Sequence, residues 1–132
     1  MTQRLPLSRE RLQGLVRSLG GEDAFKDLMR QFYRTMAQDV MIGFFFTGKD
    51  PDSIADKQSL FVLHSAGLIQ SPPEHGPATA HRNLAPILAG HFDRRIRILE
   101  EVLAKAGVST GDIDTWVGFE ESFRKMVESR PR

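Results

Sequence analysis

From Glu22 to about Asp39 the chain sets Phe25, Leu28, Met29, Phe32, Tyr33 and Met36 three or four residues apart. That spacing lays all six side chains along one stripe of an α-helix, and the stripe has to be covered by other elements. Glu22 and Asp23 suit the first turn, where negative charge meets the positive end of the helix dipole. Tyr33 is the polar tip on this stripe. Its hydroxyl needs a buried partner, commonly a nearby carbonyl, or a cavity to point into.

Helical patterns continue on both sides. Ser8 is a good N-cap for a segment with Leu12, Leu15, Val16 and Leu19, closed by the sharp turn that Gly20-Gly21 permits. The apolar run Val40 to Phe46 is too short for periodicity to separate a buried strand from a short helix. Three consecutive phenylalanines, Phe44 to Phe46, cannot share one helical face, so a tight corner that contacts both a core and an apolar ligand is expected. Thr47 to Asp52 is turn chemistry, with Asp52 or Ser53 as the expected cap of the next helix. In that helix Ile54, Gln58, Phe61 and Ser65 form a largely apolar stripe that contains one amide, and a buried amide is costly unless bonded.

Pro72, Pro73, Gly76 and Pro77 predict a loop from Leu68 to Pro77 with His75 exposed; His64, just before it, reads as a surface or C-terminal-turn histidine. Pro77 then opens a short apolar segment that runs through Ala78 and Ala80 to Leu84 and carries His81. With Pro86 close behind, any helix there is short, since each proline removes an amide donor and disfavours helix in the residue before it. An isolated histidine beside apolar residues is more often a satisfied core or surface side chain than a metal ligand, so only wider context gives His81 a role. His91-Phe92-Asp93 begins a long helix with Phe92, Ile96, Ile98, Leu99, Val102 and Leu103, ending at Gly107. A last pattern after Ser109 carries Ile113, Trp116, Val117, Phe123, Met126 and Val127. The expected class is all-α, with five or six helices and no repeats.

Composition narrows the chemistry. A chain of 132 residues buries a core without staples, and the absence of cysteine excludes disulfides, thiolate zinc, iron–sulfur clusters and thioether-linked haem. The balance of 18 basic and 17 acidic residues, +1 overall, gives no field to recruit nucleic acid or an anionic membrane. Residues 1–12 carry charges and a proline where a secretory signal needs an apolar core, and no stretch reaches membrane-spanning length, so a cytoplasmic protein is expected.

Taken in order, Gly20-Gly21, Phe32-Tyr33, Phe45-Phe46 with Gly48 and Asp50, Lys57-Gln58, Ala80-His81, His91-Phe92-Asp93 and Ala106-Gly107-Val108 resemble the truncated haemoglobins, the short two-over-two helical globins. The resemblance runs roughly from Leu19 to Val127. It implies a truncated globin fold, a two-over-two helical sandwich around haem, in a single globin domain over 1–132, with 1–18 as N-terminal helix or extension and 19–128 as core. By the same resemblance His81 matches the proximal iron ligand and Tyr33 the tyrosine over the distal face. Phe46, with Phe45 beside it, matches the corner that packs on the porphyrin. Ile54 and Gln58 match two distal positions, Lys57 a basic position directed at a haem propionate, and Phe61, Phe92 and Ile96 line the pocket.

Three departures refine it. Gly67-Leu68 stands where a double glycine is common. Arg95 stands where two subgroups carry tryptophan, which points to the first subgroup, and Ile54 leaves no distal histidine. His91 is the rival for iron, but it begins a helix and resembles the family's structural element.

The implied cofactor is haem b, held non-covalently. A neutral imidazole on one face leaves the other open to oxygen, nitric oxide or carbon monoxide. Hydrogen bonds from Tyr33 and Gln58, about 1 kcal/mol each in a dry pocket, would slow oxygen release where carbon monoxide gains less, and any catalysis falls to this pair. Conversion of nitric oxide to nitrate would make the protein a dioxygenase. With no flavin or nicotinamide motif, its electrons would come from an unidentified reductase. The alternatives are a gas sensor or oxygen carrier without turnover, and a haem-free helical interaction domain. The hint for the last is Arg94-Arg95-Arg97, which reads as a solvated helix face and not as a nucleic-acid surface. A monomer or weak homodimer is expected.

Overall fold

The computed structural model describes residues 8–70 and 87–127. Helix α1 (Arg9–Leu19) is followed by α2 (Glu22–Ala37), a 3-10 turn (Gly43–Phe46) and α3 (Pro51–Ser65). After the undescribed stretch come α4 (Ala89–Lys105), α5 (Thr110–Glu121) and a single turn, α6 (Arg124–Val127). No strand occurs among the described residues, in keeping with the all-α reading. None of the described helices is long and apolar enough to cross a membrane.

Local chemistry sets the boundaries. The Ser8 side chain accepts from the Arg11 amide at 3.1 Å, so the expected cap is in place, and Ser109 caps the later helix in the same way, accepting from the Asp112 amide at 3.2 Å. The cap of α3 is Asp50, not Asp52 or Ser53: its carboxylate accepts from the Asp52 amide at 3.1 Å, and Pro51 takes the first helical position, where no amide bond is lost. At the other end of α3, Gly67 adopts φ +74, and the Leu68 amide reaches back to the Leu63 carbonyl at 3.0 Å. One glycine in the left-handed region is enough to stop that helix.

Helix α2 is the centre of the packing. It lies most extensively against α3 and next against α4, α4 pairs with α5, and α1 lies across α2, α3 and α5. Phe25, Met29, Phe32 and Met36 are wholly buried, Tyr33 nearly so, and Leu28 partly. Full burial of such side chains is worth about 1.5–3 kcal/mol each relative to exposure. The Phe25 and Trp116 rings stack at 4.7 Å. Bidentate pairs Arg30–Asp56 and Arg34–Asp52, with N–O distances of 2.7–2.8 Å, join α2 to α3 along the solvent edge. They are exposed and set alignment more than stability.

Two expectations are corrected. The deeply buried stripe of α3 is Ala55, Ser59, Val62 and Ala66, with Leu63, whereas Ile54, Gln58, Phe61 and Ser65 are only half-buried. Small side chains let α3 lie close on α2, and the bulkier stripe turns toward a partly open side. The arginine run is not a solvated face either. Arg97 pairs with Glu101 on the surface and Arg94 reaches Asp39, but Arg95 points inward and is 15% exposed.

Candidate functional site

The inward Arg95 meets Tyr33. Nη2 of Arg95 donates to the Tyr33 hydroxyl oxygen at 3.1 Å. The same guanidinium donates through Nε and Nη2 to Oε2 of Glu120 on α5, at 3.1 and 2.9 Å, and through Nη1 to the Met36 sulfur at 3.4 Å. It lies over the rings of Phe32 and Tyr33, 4.9 and 5.3 Å from their centroids. Every guanidinium nitrogen is thereby occupied, and the Glu120 side chain is only 6% exposed. Burial pushes the Tyr33 phenol above its ordinary range, with Arg95 opposing, so the hydroxyl keeps its proton at neutral pH. Burial pulls the Arg95 guanidinium downward, but the Glu120 carboxylate and Tyr33 more than offset it, and the net direction is upward.

The phenylalanine corner closes over the same end of α2. A Cβ on Gly43 would lie 2.7 Å from the Ala37 carbonyl oxygen, so only glycine lets the 3-10 turn fold back so tightly. Asp39 fixes the turn by accepting from the Met41 and Ile42 amides at 3.0 and 3.1 Å, and from Nε and Nη2 of Arg94 at 3.0 and 2.7 Å. The Arg94 guanidinium, with those amides, holds the Asp39 carboxyl below the usual range although burial pulls the other way. Phe46 then meets the Tyr33 ring edge-on at 5.9 Å. Phe44 and Phe45 lie 4.1 Å apart, and each takes the His91 ring against it, at 5.7 and 5.2 Å.

The other expected residues fall as follows. Ile54, Gln58 and Phe61 are half-buried and Lys57 is exposed. Phe61 contacts Phe119 and Phe123 at 6.0 and 5.4 Å. Phe92 is buried, with the Arg124 guanidinium 4.4 Å over its ring, and Ile96 is buried beside it in the core. His81, its Pro77–Leu84 segment and His75 lie outside the described residues. His64, in the last turn of α3, is half-buried. His91 accepts the Leu88 amide on Nδ1 at 3.0 Å, which makes it an N-terminal fastener of α4.

These residues fit a haem. Phe45, Phe46, Ile54, Phe61, Ile69 and Phe123 are large apolar side chains that pack on the core yet stay only partly covered. A flat apolar group laid against them would finish their burial. Within the core beside Phe46, Tyr33 supplies a protonated hydroxyl. Among the described residues no group of three or more His, Asp or Glu side chains could hold a bare metal ion, whereas haem iron asks for a single imidazole from the protein.

Glu120 was not anticipated, and Arg95 was read as part of a solvated face, not as a buried partner of Tyr33. Both lie on apolar stripes: Phe92, Arg95, Ile96 and Leu99 share one face of α4, and Trp116, Val117 and Glu120 share one face of α5. Opposite charges on the buried faces of two paired helices are the signal that could have found them.

The profile of the bacterial-like globin family matches residues 15–129. A group 1 truncated haemoglobin of Chlamydomonas moewusii is 30% identical over 119 residues, which cover 89% of this chain and 70% of that protein. Among solved structures, a truncated haemoglobin of Tetrahymena pyriformis, as a tyrosine-to-phenylalanine mutant in the Fe(III) form, superposes with a TM-score of 0.77 at 25% identity. The 2/2 haemoglobin of a Synechococcus species, in the cyanomet state with covalently attached haem, superposes with a TM-score of 0.77 at 26% identity. Each covers 88% of this chain and 98% of its own.

Proposed function

This chain belongs to the bacterial-like globin family, as a truncated haemoglobin of the first group with the two-over-two fold, and from that membership we propose a gas-binding site in which Tyr33 and Gln58 are the donors and His81 holds the iron. Haem-based gas binding comes with the family. Haem, when bound, would supply an iron atom that takes one diatomic ligand and exchanges one electron.

The observation that carries the reading is the state of the Tyr33 hydroxyl. It is buried and protonated, and among the described residues its oxygen has one partner, Arg95, a group that only donates. Its own proton therefore has no acceptor among the described residues and is left to donate to a ligand. The half-buried Gln58 amide is a second donor on the partly covered stripe of α3. Donors of this kind favour a ligand that draws negative charge, so oxygen is held longer and carbon monoxide is little affected.

Haem b held without covalent attachment suits a chain with no cysteine. Phe45, Phe46, Ile54 and Phe61, partly buried against the core, would exclude water from the ring, and the exposed Lys57 ammonium would pair with a propionate. In the fuller form of the proposal, oxygen and nitric oxide leave as nitrate. The electron that returns ferric iron to ferrous comes from a separate reductase.

Absorption spectra of the haem-loaded chain, ferric, reduced and with carbon monoxide, test the site. A stoichiometric Soret band that moves with carbon monoxide is expected in the wild type and in His91→Ala, and its loss is expected in His81→Ala. Tyr33→Phe should release oxygen roughly tenfold faster or more while carbon monoxide release changes less than about twofold. Absence of a haem spectrum would overturn the proposal, and equal effects on both gases would remove the donor role of Tyr33.

A further inference from the structure

The Arg95–Glu120 pair needs a reason to exist. A buried ion pair brings little net stability over apolar side chains of the same size, because desolvation consumes most of the attraction. This one is more than a pair, since its third contact is the hydroxyl of the proposed gas donor. A phenol oxygen accepts and donates, and an arginine can only donate. With Arg95 on the accepting side at 3.1 Å, the hydroxyl proton must point away from it. Glu120 does not capture that proton: Oε2 is taken by Arg95, and Oε1 has no partner among the described residues. The ring neighbours of Tyr33 are Phe32 and Phe46, which offer no acceptor oxygen.

We propose that Arg95, held by Glu120, is a positioning residue of the gas site: it fixes the Tyr33 hydroxyl so that its proton is aimed and polarised toward the incoming ligand. This rests on the reading of Tyr33 as a ligand donor. Three features of the geometry make the guanidinium rigid enough for the task. Two bonds to one carboxylate oxygen fix its plane, the Met36 sulfur occupies its remaining nitrogen, and the Phe32 and Tyr33 rings lie on its face. A rotor fixed before the ligand arrives costs nothing when it binds, and a hydroxyl that accepts from a cation is a stronger donor. Arg95 thereby sets how strongly the site prefers oxygen to carbon monoxide without touching either gas.

The test compares four haem-loaded proteins: wild type, Tyr33→Phe, the double variant Arg95→Met with Glu120→Gln, and the triple variant. The paired substitution leaves no orphan charge, so the fold is retained. Oxygen release is expected to quicken roughly three- to tenfold in the double variant, with carbon monoxide release changed less than about twofold. On the Tyr33→Phe background the same two substitutions should change oxygen release less than about twofold, because Arg95 acts through the hydroxyl. Additive effects, or none from the pair while Tyr33→Phe alone has its effect, would overturn the role of Arg95 and leave the donor reading standing. No effect of Tyr33→Phe would instead sink the donor reading. A further readout needs no haem. Tyr33 is the single tyrosine of the chain, so a 13C label at Cζ gives one resonance that reports on its hydroxyl. That resonance should move in the double variant with or without haem, and a resonance that stays in place would overturn the contact itself.

Discussion

Two buried contacts of opposite character connect α2 to α5, one directly and one through α4. At one level Phe25 stacks on Trp116 at 4.7 Å, apolar surface against apolar surface. Two turns along α2 and one along α5, Tyr33 and Glu120 are joined through Arg95 in a contact made of charge and hydrogen bonds. Both layers are buried. The first gains free energy from exclusion of water, and the second spends desolvation to hold donors in fixed directions. Stability and function are thus divided between two separate contacts along α2, so damage to one need not spread to the other.

The hardest test of that division is Phe25→Ala. Loss of a wholly buried ring from a stacked pair should cost about 3–5 kcal/mol, read as a lowered urea midpoint with an unchanged slope. The ratio of oxygen to carbon monoxide release in the variant that remains folded should stay within about twofold of wild type. A changed gas ratio would mean the layers are coupled and would break the comparison.

The stability layer was legible in the sequence, and the functional layer only in part. The stripe from Phe25 to Met36, the Ser8 cap and the glycine stops follow from periodicity and turn chemistry, which are local properties. Tyr33 stood out because a polar tip on an apolar stripe is rare. Arg95 did not, because its burial depends on Glu120, 25 positions away on another helix. The inner face of α3 was misjudged for a different reason. Ala55, Ser59 and Ala66 carry little hydrophobic weight, yet small side chains are what close packing on α2 requires. The cap at Asp50 was hidden among Asp52 and Ser53, although Pro51 at the first helical position marks the residue before it.

A middle-sized effect is expected at the edge of the functional layer, where Asp39 ties the phenylalanine corner to α4. Asp39→Asn keeps the shape but replaces charge-assisted bonds to Arg94, at a cost of about 1–3 kcal/mol. Because the folded carboxyl titrates below its ordinary range, its contribution is fully present above the unfolded pKa, about 3.9. It is lost as pH falls through the lower folded value. The stability gap between wild type and variant should therefore be flat from neutral pH to about pH 5 and close below pH 4. A gap that persists undiminished in acid would assign the effect to packing of the corner instead.

The smallest effect separates the two histidines of the site side. His91 Nδ1 accepts the Leu88 amide, so a neutral ring carries its proton on Nε2 and has no lone pair left there for iron. Ligation by His91 would first have to break that bond and shift the proton, leaving the Leu88 amide without its acceptor. His91→Ala should accordingly cost only about 0.5–1 kcal/mol, the worth of a terminal fastener, and leave the ferric, reduced and carbon monoxide spectra in place. Loss of the Soret band in this variant would show that His91 trades its helix bond for iron. The corner of Phe44, Phe45 and His91 would then belong to the functional layer and not to the scaffold around it.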